Sequence, residues 1–212
     1  MHLAELYTSI AKNPDHPFAV RFVILMASSW IFQGVLYMDK TEKAFKVVTE
    51  LILFTFPLIL LLGVLPVIYA TILSLIICHT MNWILNGQIF VVLKNLKMVS
   101  NPPECFRKYI NVLARRIEQK NYILAAAAYG SLSKQQLEDS SDLDVRIIRK
   151  SGFLNGAKAC AFVATERSRA LIKRFPLDIY VLDDVHKIEQ QIDRSEANNP
   201  VILYDPDMLL KI

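Results

Sequence analysis

Hydrophobic positions fall into two regimes along this chain. From Leu51 to Cys78 the sequence LILFTFPLILLLGVLPVIYATILSLIIC holds no charged residue and is bounded by Glu50 and His79. As one helix, at about 1.5 Å per residue, it would extend roughly 40 Å, more than the ~30 Å hydrocarbon core of a bilayer. The pattern predicts a transmembrane helix over 51–78, kinked by Pro57, Gly63 and Pro66. A second apolar run, 18–38, is broken only by Arg21, close enough to one end to snorkel, and predicts another span, with an interfacial helix as the alternative. The link DKTEKAFK, residues 39–46, would then join the two spans on the far side of the membrane. Residues 82–99 read as a continuation of the second helix, an interfacial helix or a third span, with Lys94 and Lys97 favouring the interfacial one. Residues 1–99 are therefore expected to form a membrane anchor.

After Asn101-Pro102-Pro103 the pattern changes to that of a small folded domain over 100–212. A helix is expected at 104–120. The run ILAAAAY, 123–129, ends at Gly130 and reads as a buried strand. A short helix is expected at 132–138. In DLDVRIIR, 142–149, Asp142, Asp144 and Arg146 alternate with Leu143, Val145 and Ile147, as on a strand with two unlike faces. An amphipathic helix follows at 157–174, then strands LDIYVL at 177–182 and VILY at 201–204. The expected class is α/β: a small domain on a mixed sheet, preceded by two transmembrane helices.

Composition agrees with this division. The chain is 53% hydrophobic yet 21% charged, an average of two unlike halves. Residues 1–93 carry five basic and five acidic residues, and 121–212 carry twelve and thirteen. The surplus sits in 94–120, with seven basic against two acidic residues. So short a stretch gives no nucleic-acid-binding face to the whole chain; it suits anionic headgroups and, by the positive-inside rule, a cytoplasmic side. Cys78, Cys105 and Cys160 are widely spaced, which argues against a zinc site and fits a reducing compartment.

The residues that carry chemistry lie between 130 and 178. Two carboxylates at i and i+2 on a strand, Asp142 and Asp144, point the same way. Like charges that close are unfavourable until a divalent cation relieves them, and oxygen ligands suit Mg²⁺ or Mn²⁺ rather than zinc. Gly130 allows a tight turn and a close approach. Ser131 would offer its hydroxyl and N–H to a phosphate at the start of the expected helix. Asp178 brings a third carboxylate on another strand, and three can hold two ions in in-line phosphoryl chemistry. Arg146, on the face of Asp144, reads either as its ion-pair partner or as a phosphate contact. Glu166, Arg167, Arg169, Lys173 and Arg174 read as a solvated helix face, with Arg167 or Arg169 on a phosphate as the sharper alternative. Tyr180 reads as a packed strand aromatic rather than a platform for a base.

The stretch YGSLSKQQLEDSSDLDVRII, with LDIY later, resembles the signature of the DNA-polymerase-β-like nucleotidyltransferase superfamily. The resemblance covers about 121–182 and none of the apolar half. It implies that Gly130 and Ser131 bind a nucleoside triphosphate, and that Asp142 and Asp144 ligate both metal ions. It implies further that Asp178 ligates the catalytic ion and helps activate an acceptor hydroxyl. Many small members follow Gly-Ser with Arg/Lys-Gly; here Lys134-Gln135 stands in that place, so Lys134 keeps the charge and the glycine is missing. The implied activity is transfer of a nucleotidyl group to a hydroxyl acceptor, with release of pyrophosphate; the apolar half adds the expectation of a lipid-linked or membrane-proximal acceptor. A tethered nucleotide-binding scaffold or sensor is the non-catalytic alternative, and protein nucleotidylation a third reading. With about 110 residues in the domain, the acceptor side is expected to be completed either by a homodimer or partner subunit or by the membrane hairpin itself.

Overall fold

A computed structural model describes residues 13, 16–96, 100–134, 136–139, 141–191 and 200–210. Its apolar half holds α1 (Phe18–Phe32), α2 (Lys40–Leu62), α3 (Val67–Leu85) and the short α4 (Ile89–Asn95). Helices α2 and α3 run antiparallel along one another, joined by Gly63–Pro66. The run 51–78 is thus not one kinked span but the two arms of a hairpin. Gly63 closes α2, and Pro66, with no N–H and an extended ψ of 145°, sits as the N-cap from which α3 starts. Pro57 is accommodated inside α2. Both α2 and α3 are long and apolar enough to cross a membrane.

The run 18–38 is helical only as far as Phe32, fifteen residues. Gln33 and Gly34 adopt left-handed conformations (φ 45° and 72°), which ends α1 there. Residues 40–46, expected in a link, are the first turns of α2, capped by Asp39, whose Oδ1 accepts the Lys40 N–H at 2.8 Å. That segment lies against the α/β domain and not on the opposite side from it. Of the expected helix 82–99, residues up to Leu85 continue α3, α4 is separate, and 97–99 lie outside the described residues.

The domain contains α5 (Pro103–Glu118), β1 (Ile123–Tyr129), β2 (Leu143–Arg149), α6 (Phe153–Ile172), β3 (Leu177–Leu182), α7 (His186–Gln191) and β4 (Val201–Tyr204). The sheet is mixed, in the order β3-β2-β1-β4, with β2 and β3 parallel and β1 antiparallel to both its neighbours. Its period-two alternation sends Leu143, Val145, Ile147, Ile179 and Val181 into one core, against Phe106, Leu113 and Ile117 of α5 and Ala159, Cys160 and Val163 of α6. The opposite face carries Asp144, Arg146 and Ile148 on β2 beside Asp178, Tyr180 and Leu182 on β3. Helix α6 starts at Phe153, earlier than the pattern suggested.

Among the described residues of 132–138 no helix forms; residues 131–134 are turns. Ser133 Oγ donates to the Gly130 carbonyl at 2.8 Å, the local side-chain bond by which serine competes with helical pairing.

Candidate functional site

Register decides which acids meet. Asp144 and Asp178 are paired neighbours on the parallel strands β2 and β3, so their side chains leave the same face one strand spacing apart. Asp142 precedes Asp144 by two residues, in the segment that leads into β2. All three are partly exposed. On the other side of Asp144, in β1, its partner is Tyr129, immediately before Gly130.

Gly130 (φ 72°) leaves room that Asp144 uses. A Cβ at residue 130 would stand 2.5 Å from Asp144 Oδ2, so the carboxylate leans into the space a side chain would occupy. The neighbouring Ser131 hydroxyl is buried and has no hydrogen-bond partner, which is costly unless a ligand or water meets it. Ser131, Lys134, Gln136 and Glu138 line an open depression beside this turn. The turn residues carry no helix dipole, so an anion here would rely on N–H groups, the hydroxyl and Lys134. Gln135 lies outside the described residues.

Deeper on the same face Arg146 is buried. Its Nη1 donates to the Val145 carbonyl at 3.1 Å, its Nε has no hydrogen-bond partner, and its guanidinium stands 4.8 Å from the Tyr180 ring centre. Arg167, from α6, stands 4.9 Å from the same ring. Tyr180 is therefore a packed strand aromatic between two cations. Burial, and then the nearby Asp178 charge, hold its hydroxyl well above the usual phenol range. Burial pushes Tyr129 up to about 12 against the pull of Arg146. Both phenols are neutral at physiological pH, which leaves the carboxylates and guanidinia as the charges of this face.

Of the charged residues expected on a solvated helix face, Arg169, Lys173 and Arg174 are exposed, but Glu166 and Arg167 are buried. Glu166 is fully buried, with Arg116 at 2.9 Å and Arg169 at 2.5 Å. Arg167 reaches Glu42 of α2 in a buried ion pair and donates to the Ile179 carbonyl and to Asn86 Oδ1. Glu42 Oε2 also accepts the Val181 N–H at 2.8 Å, and Asp39 Oδ2 accepts the Asp183 N–H at 3.0 Å. The base of the helical hairpin thus holds β3, the strand that carries Asp178. Sequence reasoning placed Asp39 and Glu42 in a remote link and missed this role, although Asp39-x-x-Glu42 is a helix-start pattern.

Comparison of the chain with protein-family models, with curated proteins and with solved structures finds no match. What the site can hold is judged from its own donors. Asp142, Asp144, Asp178 and Ser131 are all oxygen donors, the set preferred by Mg²⁺ or Mn²⁺. Among the described residues, however, no group of three or more His, Cys, Asp or Glu side chains gathers closely enough to hold a metal ion. The fold sets Asp144 and Asp178 side by side, and the three acids do not close into one group. Mutual repulsion of like charges opposes that step.

Proposed function

We propose that this chain is a membrane-anchored, Mg²⁺-dependent nucleotidyltransferase of the DNA-polymerase-β-like kind, moving a nucleotidyl group from a nucleoside triphosphate to a hydroxyl acceptor. The observation that carries the reading is the in-register pair Asp144–Asp178 beside the Gly130 turn, with a buried, unpartnered Ser131 hydroxyl next to it. Ser131, the turn N–H groups and Lys134 would receive the triphosphate. Asp144 and Asp178 would hold the divalent ions, with Asp142 joining them once a bound cation offsets the repulsion among the three carboxylates. Such ions, when bound, neutralise charge on the attacking and leaving oxygens. Asp178 would orient the acceptor hydroxyl and take up its proton.

The apolar half supports the anchor. Large side chains such as Phe56, Ile59, Val64 and Ile68 stand mostly exposed on α2, α3 and the turn between them, a surface that an aqueous monomer rarely carries. The basic stretch 94–120 follows the hairpin base, which favours a cytoplasmic domain. Tethering raises the effective concentration of the domain near a lipid-linked or membrane-proximal acceptor. A homodimer or partner subunit would supply further acceptor contacts.

The test is pyrophosphate release, or label transfer to membranes, from a labelled triphosphate with Mg²⁺. The double variant Asp142→Asn/Asp144→Asn should abolish it; undiminished turnover in that variant would remove the assignment. A second reading, a tethered nucleotide-binding sensor or scaffold, draws on the ungathered third acid. It predicts saturable triphosphate binding that raises the melting temperature, with no pyrophosphate released.

A further inference from the structure

The hairpin of α2 and α3 is apolar at its tip and polar at its base, and the depth of the apolar part can be counted. Glu50 and His79 face each other across the two arms, Oε1 to Nδ1 at 2.5 Å, with Asn82 Nδ2 at 3.3 Å from the other carboxylate oxygen. Trp30 joins this layer, its carbonyl 2.9 Å from His79 Nε2 and its ring 4.6 Å from the imidazole. Lys46 and Gln33 pair one turn below, at 2.6 Å. Beyond that layer the arms run 51–62 and 67–78, twelve residues each. At about 1.5 Å per residue each arm reaches ~18 Å, just over half of a ~30 Å hydrocarbon core.

The tip has none of the features of a loop that emerges into water. From Leu60 to Ile68 no side chain carries a polar atom. Val64 is 77% exposed and Ile68 70%, so the protein itself does not cover them. The turn hides its own donors. Gly63, Val64 and Leu65 direct their N–H groups to the Leu61 carbonyl, and Pro66 has none. Backbone that sits in hydrocarbon must satisfy its donors internally, whereas a loop in water need not. Helix α1, at fifteen residues about 22 Å long, cannot cross either. It packs at the hairpin base, where Leu25 meets Trp83 and Val92.

We infer that the hairpin enters one leaflet of a lipid bilayer and returns to the face it came from, anchoring the chain without crossing the membrane. The acyl chains of that leaflet cover the exposed arms and tip, and the Glu50–His79 layer lies at headgroup depth. Length and mean composition alone allow α2 and α3 to cross. Crossing would place Glu50 and His79 inside the hydrocarbon or the bare apolar tip in water.

The inference rests on the membrane-anchor reading above, and the experiment separates the two. A thiol introduced by Val64→Cys is probed with a membrane-impermeant maleimide on sealed vesicles of both orientations. The native Cys105 is exposed in the domain and reports its side. The expected result is labelling of Cys105 from one face only, and of the introduced thiol from neither until detergent is added. Labelling of the introduced thiol from the face opposite Cys105 overturns the one-leaflet hairpin and leaves the anchor standing. Its labelling from the same face as Cys105 places the tip in water and overturns the hairpin insertion. A chain absent from the membrane fraction sinks the anchor reading as well. As a second variant, Val64→Lys/Leu65→Lys should lower the fraction resisting alkaline extraction several-fold; full retention would overturn the inference, since lysines in a water-exposed loop cost nothing. Pyrophosphate release bears on the transferase reading alone.

Discussion

The Glu42 carboxylate meets the Arg167 guanidinium at 2.6 Å, joining the first turns of α2 to α6, and each side chain is only 4% exposed. Glu42 serves two partners there, since its other oxygen accepts the Val181 N–H. Glu42→Ala would leave a buried cation and a strand donor unpaired, at a cost of about 3–5 kcal/mol. Replacing both partners, in Glu42→Ala/Arg167→Met, should cost less than the two single changes summed. Melting of the detergent-solubilised variants measures both, and simple additivity would show that the pair does not interact as described.

Gly130→Ala should damage activity more than stability. The left-handed φ adds about 1–2 kcal/mol for a residue with a Cβ, and that Cβ would displace the Asp144 carboxylate, 2.5 Å away. Loss of turnover well beyond the change in melting temperature is the expected result. A variant with full turnover would mean that the carboxylate has no fixed place.

Acid should loosen the contact between hairpin and domain. Burial pulls the Asp183 carboxyl upward, but the hydroxyl and N–H of Thr41 and the Arg149 guanidinium outweigh it and hold the group below its ordinary value. Arg149 Nε stands 2.7 Å from Asp183 Oδ1, and its Nη2 donates to Thr41 Oγ1 at 2.9 Å. A depressed carboxyl stabilises the fold fully above its unfolded value, about 3.9, and that contribution is lost as pH falls through the folded one. Melting followed from pH 6 to about pH 3 should show a decline that Asp183→Asn flattens at the acid end. An unchanged acid limb in that variant would contradict the assignment.

The thiols should differ in reactivity. Burial pushes Cys160 up to about 12, with the Glu42 charge adding to the effect, so thiolate is scarce at neutral pH. Cys78 is buried and Cys105 exposed. Mass spectrometry after brief alkylation should find one modified cysteine in native protein, Cys105, and three after denaturation. Early modification of Cys160 would show that the α6 core opens readily.

Strands were legible wherever an apolar run was closed by glycine, proline or charge: 123–129, 177–182 and 201–204 have the bounds the sequence suggested. The hairpin was not legible, because Gly63 and Pro66 suit a kink and a reversal equally well. What separates the two is tertiary, the meeting of Glu50 with His79. The α6 charges misled for a related reason. Glu166 and Arg167 have helical neighbours that suit a solvated face, and their partners Arg116 and Glu42 arrive from distant segments. In the candidate site, alternation along β2 foretold the face of Asp144, and the parallel register supplied Asp178. How far Asp142 turns toward them depends on loop conformation and charge, which alternation does not encode.

The outer edge of β3 has one further consequence. A bare strand edge invites another chain to add a strand, by accident or by design. Here the main-chain donors of Val181 and Asp183 are already taken by Glu42 and Asp39, so the C-terminal half of that flank is closed to an added strand. Edge-to-edge pairing of two copies would meet these occupied donors at β3, which favours β4, the short strand on the opposite flank, away from the strand that carries Asp178.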